Sequence, residues 1–272
     1  MSDPSFAAIR SHYELNYEDA RLRQGIGRLE FARVQEIVRR HLPGSSARVL
    51  DVGGATGIHS EWLLADGHQV QLIDPMPGHV EQAKARLGQH SRFSADVADA
   101  RRLPVPNESV DLVLLFGPLY HLIERADRLR AWQEAGRVVR PGGLILGMAI
   151  SRFASLFDGL ARGYLFDPEF RAVVAQDLAT GRHENPTGDP HWFTTAYFHR
   201  AEELAAEAVE AGLDVRETVG VEGIAHWLKH LDARWDDAAD REVILQAVRA
   251  TEHEPTLAGL SSHFITVAAR VS

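Results

Sequence analysis

Apolar positions change their period near residue 47. Over residues 18–42, EDARLRQGIGRLEFARVQEIVRRHL, apolar side chains fall at Leu29, Phe31, Val34, Ile37, Val38 and Leu42, the spacing of one helix face. PGSS at 43–46 stops that helix. ARVLDVG at 47–53 is then a nearly unbroken apolar run, as a strand covered on both faces requires. The alternation continues with a helix from about Ile58 to Ala65, stopped by Gly67, and a strand, HQVQLID, at 68–74. A helix at 78–89, a short strand at 92–97 and a strong strand, SVDLVLLFG, at 109–117 follow. RADRLRAWQEAGRVVRPGG at 125–143 reads as an amphipathic helix stopped by Pro141 and two glycines, and LILGMAIS at 144–151 as the next strand. This alternation over 47–151 is the pattern of a doubly wound, mostly parallel α/β sheet.

Beyond residue 151 the regularity breaks. Residues 152–198 are mixed, and TGRHENPTGDPHWFTTAYFHR is rich in turn formers and aromatics, which points to a lid or binding loop. RAEELAAEAVEA at 200–211 is a helix, and LDVRETVGVEG at 213–223 and HFITVAARV at 263–271 are two further strands. The expected organisation is a helical N-terminal cap over 1–46, a ligand-binding core over 47–151, a lid or substrate insert over 152–198, and completion of the core sheet over 199–272 with a helical insert at about 224–260.

Composition narrows the class. A chain of 272 residues, 45% hydrophobic and 25% charged, suffices for one large α/β domain or a core with a cap. A net charge of -9 argues against a nucleic-acid partner drawn in by a positive field. There is no cysteine, hence no disulfide framework, thiolate nucleophile or cysteine zinc site. His191 and His199 lack a matching carboxylate pattern, so no metal is expected. The first residues lack a signal-peptide core, and no run of about 18 apolar residues occurs. The expectation is a cytoplasmic enzyme, monomer or homodimer, with no membrane partner.

The densest chemical signal is the turn DVGGATG at 51–57. Gly53, Gly54 and Gly57 stand at the C-terminal end of the first strand, where an open α/β sheet binds its ligand. The dinucleotide pattern G-x-G-x-x-G fails twice, because Ala55 and Ile58 occupy glycine positions, and the Gly-Lys-Ser/Thr of a phosphate loop is absent. What remains, D-x-G-x-A-x-G, resembles the first motif of the class I S-adenosylmethionine-dependent methyltransferases, usually D/E-x-G-x-G-x-G. The resemblance covers about residues 47–151 and returns at the last strands. Asp74 at the end of the second strand, DARRLPVPNESVDLV at 99–113 and RPGG at 140–143 also carry it.

The resemblance implies a seven-stranded, Rossmann-like sheet with the last strand antiparallel. It implies S-adenosyl-L-methionine as cofactor, leaving as S-adenosyl-L-homocysteine. Asp51, Gly53, Gly54 and Gly57 would then form the cofactor turn. Asp74, with Pro75 beside it, would take the ribose hydroxyls through a carboxylate that accepts two O–H bonds. Asp99 would accept from the adenine amino group and Ala100 would offer its N–H to the ring. Asp74 reads alternatively as a helix N-cap, Asp96 competes with Asp99, and the glycines also suit a plain tight turn.

A sulfonium methyl is already electrophilic, so the protein need only align it with the acceptor and exclude water, with a base where the acceptor carries a proton. FGPLYH at 116–121 follows the strand after which the family places acceptor-facing groups. This assigns Phe116 to the cofactor, His121 to the base and Tyr120 to the acceptor side; both of the last two read also as packing or capping groups. In related small-molecule methyltransferases N-terminal helices fold over the cofactor. That places Tyr17 and Arg28 (or Arg23) beside it, with the arginine and His59 on the methionine carboxylate and Tyr13 near the acceptor. His191, Tyr197 and His199 are further acceptor candidates, or anchors of the insert.

The reading that results is a bacterial-type methyltransferase acting on oxygen, nitrogen or carbon of a small organic acceptor. Its rivals are an NAD-dependent oxidoreductase, a cofactor-binding homologue without turnover, and a methyltransferase of protein or RNA.

Overall fold

The computed structural model describes residues 21–42, 44 and 46–271. Helix α1 (Gly25–His41) is followed by β1 (Arg48–Val52), α2 (Ile58–Ala65), β2 (Gln69–Asp74), α3 (Pro77–Leu87), β3 (Phe93–Val97), β4 (Val110–Leu115), the single turn α4 (Pro118–His121), α5 (Arg125–Val138) and β5 (Val139–Ile150). Then come α6 (Ala154–Arg162), α7 (Pro168–Thr180), the two-residue strands β6 (Arg182–His183) and β7 (Ala196–Tyr197), α8 (Ala201–Glu210), β8 (Leu213–Gly220), α9 (Leu231–Asp236), α10 (Ala238–Arg249) and β9 (His263–Arg270). None of the described helices is long and apolar enough to cross a membrane. Two compact units divide the chain. Of the described residues, the sheet unit takes Gln35–Met148, Glu202–Thr218 and those from Ile265 onward; the other takes those up to Val34, Ala149–Ala201 and Val219–Phe264.

In the sheet unit the seven strands run in the order β3-β2-β1-β4-β5-β9-β8, mostly parallel with one antiparallel strand. β1 pairs in parallel with β2 on one side and β4 on the other. Val49, Leu50 and Val52 are buried, which is why the β1 run is apolar without alternation. The strand order reverses between β1 and β4, the switch point at which an open α/β sheet binds its ligand.

One boundary is corrected. The helix expected to reach Pro141 ends at Val138, and Val139–Gly143 already belong to β5. The pairing of β5 with β4 slips between Val110↔Val139 and Leu112↔Leu144. Such a bulge tolerates a proline without an N–H and two glycines.

In the other unit, the irregular insert expected over 152–198 is largely helical, as α6 and α7, and irregular chain is confined to about 184–195. Asp167 caps α7 by accepting from the Glu169 N–H, Pro168 opens the helix, and Gly181 closes it at φ 77°. Phe170, Val174 and Trp192 form its apolar core. His183 ties the loop to the helix: Nδ1 lies 2.9 Å from the Asp177 carboxylate and Nε2 lies 2.8 Å from the Trp192 carbonyl.

The same unit buries a charged cluster. His263 Nδ1 lies 2.6 Å from Glu222 Oε1, and Arg21 holds Glu30 through two hydrogen bonds. Glu30, Glu222 and His263 have the donor types and spacing of a metal site. Arg21 and a protonated His263 balance the charge of the two carboxylates. Burial alone would push the His263 imidazole down; the facing Glu30 and Glu222 outweigh it and raise it to about 9. A folded value above the unfolded 6.5 means a contribution fully present below about pH 6.5 and lost as pH rises through about 9. The denaturant midpoint is therefore expected to fall between these limits, and His263→Gln to flatten that fall. A wild-type midpoint level across the window would remove the cluster from the stability of the fold.

Candidate functional site

The turn after β1 is built by backbone bonds and one carboxylate. Gly53 donates its N–H to the Ile73 carbonyl at 2.7 Å, and Gly57 to the Gly54 carbonyl at 2.8 Å. Gly53 sits at φ 76°, and a Cβ there would lie 2.7 Å from Pro118 Cδ in the turn after β4. Asp74 receives the Ala55 N–H on Oδ2 and the Met76 N–H on Oδ1, both at 2.9 Å, with His79 Nδ1 3.2 Å from Oδ1. Asp74 thus joins the turns after β1 and β2. The N-cap of α3 is Met76, not Asp74.

Ala55, which stands where the motif usually has glycine, has φ 47°, a left-handed conformation that strains a Cβ. Ala55→Gly is expected to raise stability by up to about 1 kcal/mol, read as a shift in denaturant midpoint. A loss of stability would mean that Cβ contacts outweigh the backbone strain.

Asp51 lies beneath the turn and is fully buried. Its Oδ2 accepts from the Ser60 hydroxyl at 2.7 Å, while Oδ1 has no hydrogen-bond partner among the described residues. Burial pushes its carboxyl up to about 6; the Ser60 bond opposes this and the Asp74 charge adds to it. A Cβ on Gly54 would lie 2.8 Å from that carboxyl group, so both residues share one tight space.

The turn after β4 supplies the facing side. Phe116 is buried and meets the His59 ring edge-on, with centroids 5.6 Å apart. Gly117, at φ 142°, starts α4, and its carbonyl accepts the N–H groups of Tyr120 and His121. The Tyr120 and His121 rings stand 4.7 Å apart, both half-buried. Arg128, on α5, donates to the carbonyls of Leu122 and Ile123 and holds Glu207. Sequence inspection missed Arg128: an arginine on an amphipathic helix looks solvated unless its partner, 79 positions away, is known.

The remaining candidates are placed as follows. Asp99 receives the backbone N–H and guanidinium of Arg101, at 2.8 and 2.6 Å. Burial works against its ionisation, but Arg101 outweighs it and holds the carboxyl below the usual range. Its rival Asp96 accepts from Gln71 at 3.2 Å on exposed β3, Ala100 is buried, and Pro75 is exposed.

In the other unit Arg28 pairs with Asp236 at 2.8 Å and with Asp232 at 3.8 Å. His191 is exposed and pairs with Asp189 at 2.8 Å. Tyr197 accepts from Arg152 at 3.2 Å, and its ring packs on the fully buried His199. Tyr13 and Tyr17 lie outside the described residues.

Residues 49–143 match a family described as a methyltransferase domain. An uncharacterized methyltransferase of Mycobacterium tuberculosis is 36% identical over 102 residues, 38% of this chain and 39% of that relative, so the match spans about two-fifths of its length. A ubiquinone biosynthesis O-methyltransferase of Methylobacterium sp. is 29% identical over 206 residues, 74% of this chain and 71% of the relative. Among solved structures, an S-adenosylmethionine dependent methyltransferase from Mesorhizobium loti superposes with a TM-score of 0.58 over 89% of this chain and all of that one, at 16% identity, a likeness of fold.

Proposed function

We propose that this chain, a class I S-adenosylmethionine-dependent methyltransferase by its matching domain and its sheet order, transfers the cofactor's methyl group to a hydroxyl oxygen of a small organic acceptor. The observation that carries the reading is the glycine turn locked to Asp74 at the sheet's switch point. The relatives named as O-methyltransferases favour oxygen. The oxidoreductase reading has no support, since the matched family is a methyltransferase domain and G-x-G-x-x-G is absent.

The residues present fit the cofactor. The carboxylate of Asp74 suits a ribose hydroxyl: beyond the Ala55 N–H, Oδ2 keeps a lone pair for an O–H donor, while Oδ1 already faces the Met76 N–H and His79. Buried Phe116 and Ala100 suit apolar contact, and Asp99 suits an amino group. Asp51, with Ser60 and Gly54, supports the turn from below. The cofactor supplies an electrophilic methyl group on a sulfonium sulfur. His121 takes the proton that the acceptor hydroxyl loses, and Tyr120 packs beside it to orient the ring.

Calorimetric titration with S-adenosylmethionine, S-adenosylhomocysteine and NAD tests the cofactor. Micromolar binding of the two sulfur compounds alone is expected, and binding of NAD alone would overturn the reading. His121→Ala is expected to lower kcat about 100-fold at saturating cofactor, with S-adenosylmethionine affinity unchanged. A wild-type rate would reduce His121 to packing, and cofactor binding with no turnover on any screened hydroxyl acceptor would overturn the choice of oxygen.

A further inference from the structure

We propose that Trp62 sets the tautomer of His59, so that the imidazole meets the cofactor's carboxylate as a neutral hydrogen-bond donor through Nε2. The proposal rests on the methyltransferase reading of the glycine turn. His59 is the second residue of α2, two positions after Gly57. Trp62 is buried one helical turn further on, and its indole N–H reaches His59 Nδ1 at 3.3 Å. An indole N–H is a donor only. A donor-only partner at Nδ1 needs a lone pair there, so the ring's single proton sits on Nε2.

Two neighbours hold this arrangement. The Arg39 guanidinium lies over the Trp62 ring, 4.7 Å from its centroid, and is fixed by Asp66 at 2.7 Å and Gln35 at 2.9 Å. A cation over the indole face draws electron density toward itself and makes the N–H a better donor. Phe116, from the end of β4, meets the His59 ring at 79° and fixes its plane.

The result is an oriented Nε2–H in the first turn of a helix, where backbone N–H groups also favour an anion. The cofactor carries both a carboxylate and a sulfonium cation. A neutral donor binds the carboxylate without adding a positive charge close to the sulfonium, which an imidazolium would do. Trp62 is therefore a positioning residue: it acts on the cofactor through His59.

Imidazole 15N shifts of the labelled protein test the first step. The expected spectrum gives His59 a pyridine-like Nδ1 and a pyrrole-like Nε2 in the wild type, and a tautomer mixture in Trp62→Phe, which keeps an aromatic ring beneath Arg39 and removes the donor. Calorimetry tests the second step with two probes, S-adenosylhomocysteine and methylthioadenosine, which lacks the amino-acid end. Trp62→Phe is expected to weaken S-adenosylhomocysteine roughly five-fold and to leave methylthioadenosine unchanged. His59→Ala is expected to show the same selectivity with a larger loss. A protonated Nδ1 in the wild type, or equal weakening of both probes by His59→Ala, overturns the proposal. Failure of the wild type to bind S-adenosylhomocysteine at all overturns the methyltransferase reading, and this proposal with it.

Discussion

Gly53→Val is expected to abolish measurable binding of S-adenosylmethionine. The residue has φ 76°, a conformation that costs an L-residue about 1–2 kcal/mol, and a β-branched side chain has few rotamers with which to relieve it. The new Cβ would lie 2.7 Å from Pro118 Cδ, 3.2 Å from Pro118 Cγ and 3.4 Å from the Phe116 carbonyl. None of these atoms is the free end of a flexible side chain, so the turns after β1 and β4 must separate. Overpacking of this kind costs a further 1–3 kcal/mol, roughly. The strain falls on the two turns at the switch point, and about 3 kcal/mol taken from binding is more than a 100-fold loss of affinity. Calorimetry reads the affinity and far-ultraviolet circular dichroism reads the fold. Wild-type affinity in a folded Gly53→Val protein would place the cofactor elsewhere.

Arg128→Met is expected to destabilise the sheet unit by about 3–5 kcal/mol, since it leaves a buried carboxylate without its partner. The Arg128 and Glu207 side chains are 2% and 3% exposed, so water cannot take over. Arg128 Nε lies 3.0 Å from Glu207 Oε1, Nη2 lies 2.8 Å from the same oxygen, and Nη1 serves the Leu122 and Ile123 carbonyls at 3.0 and 2.7 Å. One guanidinium thus fastens α8 to the chain just beyond α4. The double variant Arg128→Met with Glu207→Leu removes both charges and is expected to recover most of the loss. Chemical denaturation of the two single variants and the double one gives the coupling, and strict additivity would mean the pair does not act as a unit. The Leu122 and Ile123 carbonyls lose their guanidinium donor in the double variant as well, so its recovery is expected to be incomplete.

Which parts of the site were legible follows from how far apart its members lie in the chain. The glycine turn and Asp74 belong to one strand–turn–helix–strand segment, and their residue types reflect local demands: positive φ, close approach, an acid at a strand end. The Trp62–His59 bond is just as local, at three positions apart on α2. In the sequence a tryptophan on an apolar helix face carries only the mark of a core residue. The helical content of the insert was also present as signals, with Asp167 and Pro168 at the start of α7 and Gly181 at its end, but the turn-rich residues after it dominated the impression of the segment.

From the sequence alone came the order of strands and helices through the core, the glycine turn after the first strand, and the exclusion of cysteine chemistry. These depend on periodicity and backbone conformation, which neighbours in the chain dictate. The tertiary structure decided where the charges go. It paired Arg28 with Asp236, 208 positions away, closed Arg128 on Glu207, and set Gly53 against Pro118. A charged side chain carries no mark of its partner in its own spacing. The choice between solvent, ion pair and ligand is made by burial and distance, and these exist only once the chain has folded.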